Sequence, residues 1–151
     1  MQIEAKLAEM GITLPEPGSP VANYVGAVQV DKLLFVSGHG PTREGNHLRG
    51  KVGRDLTVEQ GYEAARYTMI NLLATVKATL GDLDRVERIV KLLGMVNAAE
   101  GFTQTPAVIN GASDLLVALY GENGRHARSA VGMAALPADI PVEIEMIVQV
   151  K

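Results

Sequence analysis

The sequence predicts an α+β domain: a five- to six-stranded mixed sheet with two helices packed on one face, plus a short N-terminal helix. Three features carry that prediction. Two long segments, 57–81 and 105–120, repeat apolar residues at intervals of three and four. Val142, Ile144, Met146, Val148 and Val150 alternate with Glu143, Glu145, Ile147 and Gln149, the period of two of a strand with one apolar face. The segments follow the order β-β-α-β-α-β-β, with no repeat, low-complexity tract or linker between them. Residues 1–151 therefore read as one domain, with 1–20 as an appendage.

Gln2–Met10 carries Ile3, Leu7 and Met10 at helical spacing, and Gly11 stands where a C-terminal cap belongs. Leu14–Pro20 holds three prolines and reads as a stiff, extended connector. Ala22–Val30 and Leu33–Ser37 form a hairpin around Asp31-Lys32, with Tyr24 on the first strand. The second strand is uniformly apolar, as a strand covered on both faces should be, and runs into Ser37-Gly38-His39-Gly40, where the glycines let backbone turn sharply or approach a ligand. Thr42–Gly53 is a polar loop containing His47. Thr57 and Gln60 make a capping box, and the stripe Tyr62, Ala65, Met69, Leu72, Leu73, Val76, Leu80 continues to Gly81. Val86–Val96 is a strand of imperfect alternation, and Asn97–Gln104 a loop. Thr105 is placed as N-cap of the second helix with Pro106 in its first turn, and Gly121-Glu122-Asn123-Gly124 ends it. Two strands joined through Leu136-Pro137-Ala138-Asp139 complete the chain.

Seventeen acidic against fourteen basic side chains give no electrostatic footprint for a nucleic-acid backbone, so nucleic acid is an unlikely partner. Without cysteine there is no disulfide, thiolate catalysis or thiolate metal site. His39, His47 and His126 lack metal-ligand spacing, so no metal is expected. No glycine-rich nucleotide motif or Gly-x-Ser-x-Gly occurs, and no cofactor is expected. The chain shows neither a signal pattern nor an apolar run near membrane-spanning length, so a cytoplasmic protein without a membrane partner is expected.

In the strand 128–135, Arg128 shares a face with Ala130, Gly132 and Ala134. A guanidinium followed by small side chains leaves a slot beside a fixed positive charge, suited to a small carboxylate-bearing ligand. Glu143 and Glu145, on the strand taken as its partner, would border that slot. The alternative is a plain ion pair between Arg128 and either carboxylate on a solvated sheet face. Asn110, a poor helix former inside the second helix, suggests a side-chain task, either in a pocket or toward a nearby backbone group. The sheet face away from the helices is read as carrying Arg128, Glu143 and Glu145 together with Ile147 and small residues; it is too apolar to be simply wet, and is read as a subunit interface.

Tyr24-Val25, Ser37-Gly38, Val108-Ile109-Asn110, Ala127-Arg128-Ser129-Ala130-Val131, Leu136-Pro137 and Val142-Glu143-Ile144-Glu145 together resemble the RidA family, also called YjgF-type or L-PSP endoribonuclease proteins, from about Pro17 to Val150. The resemblance implies a chorismate mutase-like fold and a homotrimer whose sheets form a central barrel, with ligand clefts between subunits. It implies hydrolysis of reactive enamine/imine intermediates such as 2-aminoacrylate to a 2-keto acid and ammonia. Arg128 would grip the substrate carboxylate, helped by the Gly38 N–H, while Glu143 would position water and the Ala130 carbonyl would accept from the substrate amine. Tyr24, Ser37 and Asn110 would line the cleft. Departures mark a divergent branch: His39 stands where the family commonly has glutamine, Ala130 where it often has cysteine. His39 would add a group titrating near neutral pH. The rival readings are a non-catalytic trimer that holds a small carboxylic acid as sensor or regulator, and, less favoured, an endoribonuclease.

Overall fold

The computed structural model describes residues 1–18, 22–43 and 48–151; His47 and part of the proline-rich connector lie outside them. Helices α1 (Gln2–Glu9), α2 (Val58–Leu80) and α3 (Thr105–Tyr120) accompany strands β1 (Ala27–Val30), β2 (Leu33–His39), β3 (Val86–Asn97), β4 (Ala127–Met133) and β5 (Val142–Val150). The strands make one mixed sheet in the order β1-β2-β5-β3-β4, with β3 and β4 parallel and all other pairs antiparallel.

The capping box forms: Gln60 N–H donates to Thr57 Oγ1 (3.1 Å) and Thr57 N–H to Gln60 Oε1 (2.9 Å). Gly81 stops α2 at φ +86°. From α2, Ala65, Met69, Leu72, Leu73 and Val76 meet Val108, Ile109, Ala112, Leu115 and Leu116 of α3 and the inner residues of β5 in one core. The helices pack backbone to backbone at Gly111, where a Cβ would lie 2.0 Å from the Tyr62 carbonyl oxygen. The α1 helix buries Ile3 and Leu7 and is pinned by Asp84, which accepts from the Gln2 and Ile3 amides (2.7 and 2.9 Å) and pairs with the Met1 amine. It is docked on the domain.

Several expectations need correction. The strand β1 begins at Ala27, so Tyr24 precedes it. Thr105 is the first residue of α3 rather than its cap; Gln104 takes the cap position, and the threonine hydroxyl turns to β4. Asn97 belongs to β3, not to the following loop. The imperfect alternation of β3 reflects register shifts against β5 between Val86 and Arg88 and between Ile89 and Lys91, which let consecutive residues share a face.

The largest correction concerns the last two strands. They are joined through a short turn but do not pair, because β3 lies between them. The β3-α3-β4 unit is a crossover that sets β4 down parallel on the far side of β3, at the sheet edge. The 134–141 connection must then pass the end of β3 to reach β5. Buried Asn97 holds that passage: its amide N–H donates to the Pro141 carbonyl (2.8 Å) and its Nδ2 to Asp139 Oδ1 (2.9 Å), while its Oδ1 accepts from Lys51 Nζ (2.8 Å).

The helices cover one sheet face, where Val142, Ile144, Met146, Val148, Leu34, Val36 and Leu92 are buried. The other face is open in the single chain, and β2 is therefore not covered on both sides. Val28, Phe35 and Val131 lie on that open face and are 51%, 42% and 38% exposed.

Candidate functional site

The residues singled out from sequence collect into two groups that do not meet within one chain. The first surrounds Arg128 on β4. Arg128 pairs across to Leu92 of β3, whose side chain is buried beneath the helices, so the guanidinium points to the α3 side of the sheet. There Arg128 Nη1 donates to Asn110 Oδ1 (2.8 Å) and to Ser113 Oγ (3.1 Å). Both acceptors are neutral, and among the described residues no carboxylate forms an ion pair with Arg128. Pairing with Glu143 or Glu145 is thereby excluded in the single chain. The task of Asn110 is to hold this guanidinium. Two residues farther along β4, the Ala130 carbonyl accepts from the Thr105 hydroxyl (3.0 Å), which occupies one of its two acceptor directions.

The second group lies at the end of β2. The register of β2 against β5 slips between Val36 and His39, and Gly38 sits in that slip. A Cβ on Gly38 would come within 2.9 Å of Glu143 Oε2, so a side chain here would displace the carboxylate from this position. Burial pushes the Glu143 carboxyl above the usual carboxylate range, and the charge of Glu145 two residues on adds to the effect. Ser37 Oγ donates to the Val25 carbonyl (2.6 Å), tying β2 to the segment that carries the exposed Tyr24.

His39 faces away from the open sheet side. Its Nδ1 lies 2.6 Å from the Ser37 carbonyl, which can only accept, so that nitrogen carries the proton. Nε2 is then the acceptor for the Thr75 hydroxyl on α2 (2.7 Å). Burial lowers the His39 pKa, against the pull of the Ser37 carbonyl. Burial therefore favours the neutral ring, the form in which Nε2 accepts from Thr75.

Arg128 and Glu143 stand one strand apart on opposite faces. Glu143 pairs with Met95 and Met95 with Val131, on the open side, whereas Arg128 belongs to the covered side. Sequence reasoning missed Ser113 and the partner role of His126, whose Nε2 lies 2.9 Å from Ser113 Oγ. The signal was available for Ser113, three residues after Asn110 on the same helix face. Among the described residues no cluster of histidine and carboxylate groups is arranged to hold a metal ion, and no helix is long and apolar enough to cross a membrane.

Residues 4–146 match the family model described as "YjgF/chorismate mutase-like, putative endoribonuclease". The chain belongs to this family. It is 43% identical to Trypanosoma cruzi protein TCP17, over 98% of this chain and 94% of that one. The crystal structure of Agrobacterium tumefaciens Atu1372 superposes with a TM-score of 0.92 at 46% identity, covering 99% and 92% of the two chains. RidA from an Antarctic Psychrobacter is more distant, with a TM-score of 0.63 at 28% identity over 91% and 96%. The higher TM-score and identity set this YjgF-type chain nearer to the Atu1372 form than to that RidA.

Proposed function

We propose that this protein hydrolyses reactive enamines and imines of the 2-aminoacrylate kind to 2-keto acids and ammonia, in clefts completed between copies of the chain in a homotrimer. The observation that carries the reading is the guanidinium of Arg128, held by two neutral acceptors and left with its charge unmatched by any carboxylate among the described residues. Such a group is prepared for a ligand carboxylate, and guanidinium geometry suits a bidentate pair. The Glu143 group supplies the complementary half. Its carboxyl, raised by burial and set against Gly38, is suited to take a proton from water and give it back. The open apolar sheet face supports an assembly that would bring the Arg128 group of one copy to the Glu143 group of the next.

In this reading Arg128 grips the carboxylate, with Asn110 and the Ala130 carbonyl beside it and Tyr24, Ser37 and Gly38 from the neighbouring copy closing the cleft. The enamine tautomerises to the imine, and water adds to the imine carbon while its proton passes to Glu143. Glu143 passes that proton to the nitrogen to give the carbinolamine, whose C–N bond breaks as the hydroxyl proton reaches the nitrogen by the same route and ammonia leaves. The water oxygen becomes the keto oxygen. Holding the substrate and placing one water accounts for the reaction, and no step calls for a cofactor.

An RNA substrate, which the family description names, finds less support in a chain with seventeen acidic and fourteen basic side chains. The test is keto-acid release from 2-aminoacrylate generated in situ by a dehydratase. Acceleration by the protein that disappears in Arg128→Ala is the expected result. If folded protein gives no acceleration, with bulkier imino acids tried as well, while still binding a 2-keto acid, the chain is a carboxylate-binding protein and the hydrolytic reading fails.

A further inference from the structure

We propose that Ser113 and His126 are positioning residues for Arg128, forming a directed relay that fixes the guanidinium from behind and leaves one edge of it for the ligand. The direction of the relay follows from its far end. His126 Nδ1 lies 2.7 Å from the Gly124 carbonyl oxygen, which can only accept, so Nδ1 carries the proton. In the neutral ring Nε2 then holds a lone pair. It lies 2.9 Å from Ser113 Oγ, so the serine hydroxyl donates to the ring. With its proton committed there, Ser113 Oγ presents its lone pairs to Arg128 Nη1 at 3.1 Å. Burial holds the His126 pKa below its ordinary value, and the charge of Arg128 pushes the same way. Both effects favour the neutral form the relay requires, against the pull of the Gly124 carbonyl.

The relay acts together with Asn110, whose Oδ1 accepts from the same Nη1 at 2.8 Å. Among the described residues both acceptors of the guanidinium sit on Nη1. The Nε–Nη2 edge, which presents two parallel N–H groups, is left for a carboxylate. A flexible arginine would lose rotamer freedom on each binding event; one already held on Nη1 has lost much of it beforehand. The sequence places the parts economically. Asn110 and Ser113 are one turn apart on α3, and His126 lies two residues before Arg128, so the two side chains leave the chain on the same side.

That the held arginine grips a substrate carboxylate rests on the reading above; the positioning itself does not. The test therefore has two readouts in the full-length protein. The first is the order of the Arg128 Nε–H vector by nitrogen-15 relaxation. It is expected to fall in Ser113→Ala and in His126→Leu, and to stay near wild type in Ser113→Thr and His126→Gln, which keep a hydroxyl and an acceptor. The second is the affinity for 2-oxobutyrate by calorimetry, expected to weaken about 5- to 10-fold in each disrupting variant. The double variant is expected to be no weaker than Ser113→Ala alone, because His126 acts through Ser113. Where imine turnover is measured, KM should rise by the same factor with kcat within about 2-fold. An Arg128 signal as ordered in folded Ser113→Ala as in wild type, or effects of the two substitutions that multiply, overturns the relay. Wild-type protein that neither binds 2-oxobutyrate nor turns over imines contradicts the hydrolytic function instead, and the relaxation data still decide the positioning.

Discussion

Burial raises the Glu143 carboxyl above the usual range, and this has two consequences of opposite sign for chemistry and for stability. A base must be deprotonated to accept from water, so the rate of imine hydrolysis is expected to fall on the acid side around a pKa above that of an ordinary glutamate. Glu143→Gln should abolish turnover and that limb with it. For stability, a carboxyl whose pKa is higher folded than unfolded binds its proton more tightly in the native state. Stability therefore declines as pH rises through the interval between the two values. Glu143→Gln is expected to be more stable than wild type at neutral pH, with the difference vanishing below the unfolded glutamate pKa. Denaturant midpoints at pH 4 and 7 check this. An activity loss accompanied by a stability loss at pH 7 would instead mean a structural carboxylate. Among residues, the sequence made Arg128 and Glu143 legible as charges in a strand pattern of small and apolar neighbours. It marked Asn110 as a residue with a side-chain task but not Arg128 as its partner, because a hydrogen bond between a helix and an edge strand depends on packing that local spacing does not encode.

At the scale of elements, α2 was the most legible part of the chain because its signals are local. The reciprocal bonds of Thr57 and Gln60 satisfy two amide donors that the helix start leaves open, and Gly81 takes up the left-handed stop. Thr57→Ala is expected to cost about 1 kcal/mol, read as a lower urea midpoint with unchanged slope. An unchanged midpoint would mean that tertiary packing alone holds the first turn. Strand pairing was less legible, for a physical reason. Alternation tells which face of β5 is buried, and the structure bears that out at Val142, Ile144, Met146, Val148 and Val150. It says nothing of which strand lies beside it. The short Leu136–Asp139 turn suggested adjacency for β4 and β5. The β3-α3-β4 crossover decides otherwise, and Asn97, read as a loop residue, fastens the passage over the end of β3.

For the whole molecule, the separation of the two groups matters most. Arg128 and Glu143 occupy opposite faces of one sheet, and the open face exposes Val28, Phe35 and Val131. A site using both charges therefore calls for a second copy, with the sheet faces supplying the contact. Arg128→Ala and Glu143→Gln should each be inactive alone, yet combine when their subunits exchange. With random equal mixing in a trimer, half the Arg128 groups and half the Glu143 groups are intact, so roughly one quarter of the clefts regain both. The measurement to make is keto-acid release from 2-aminoacrylate after mixing the two inactive variants under conditions in which mass spectrometry shows mixed trimers. Recovery of about a quarter of wild-type activity is the expected result, from the random pairing above. No recovery in proven mixed trimers would contradict a cleft shared between copies, and with it the assignment of Arg128 and Glu143 to a single site.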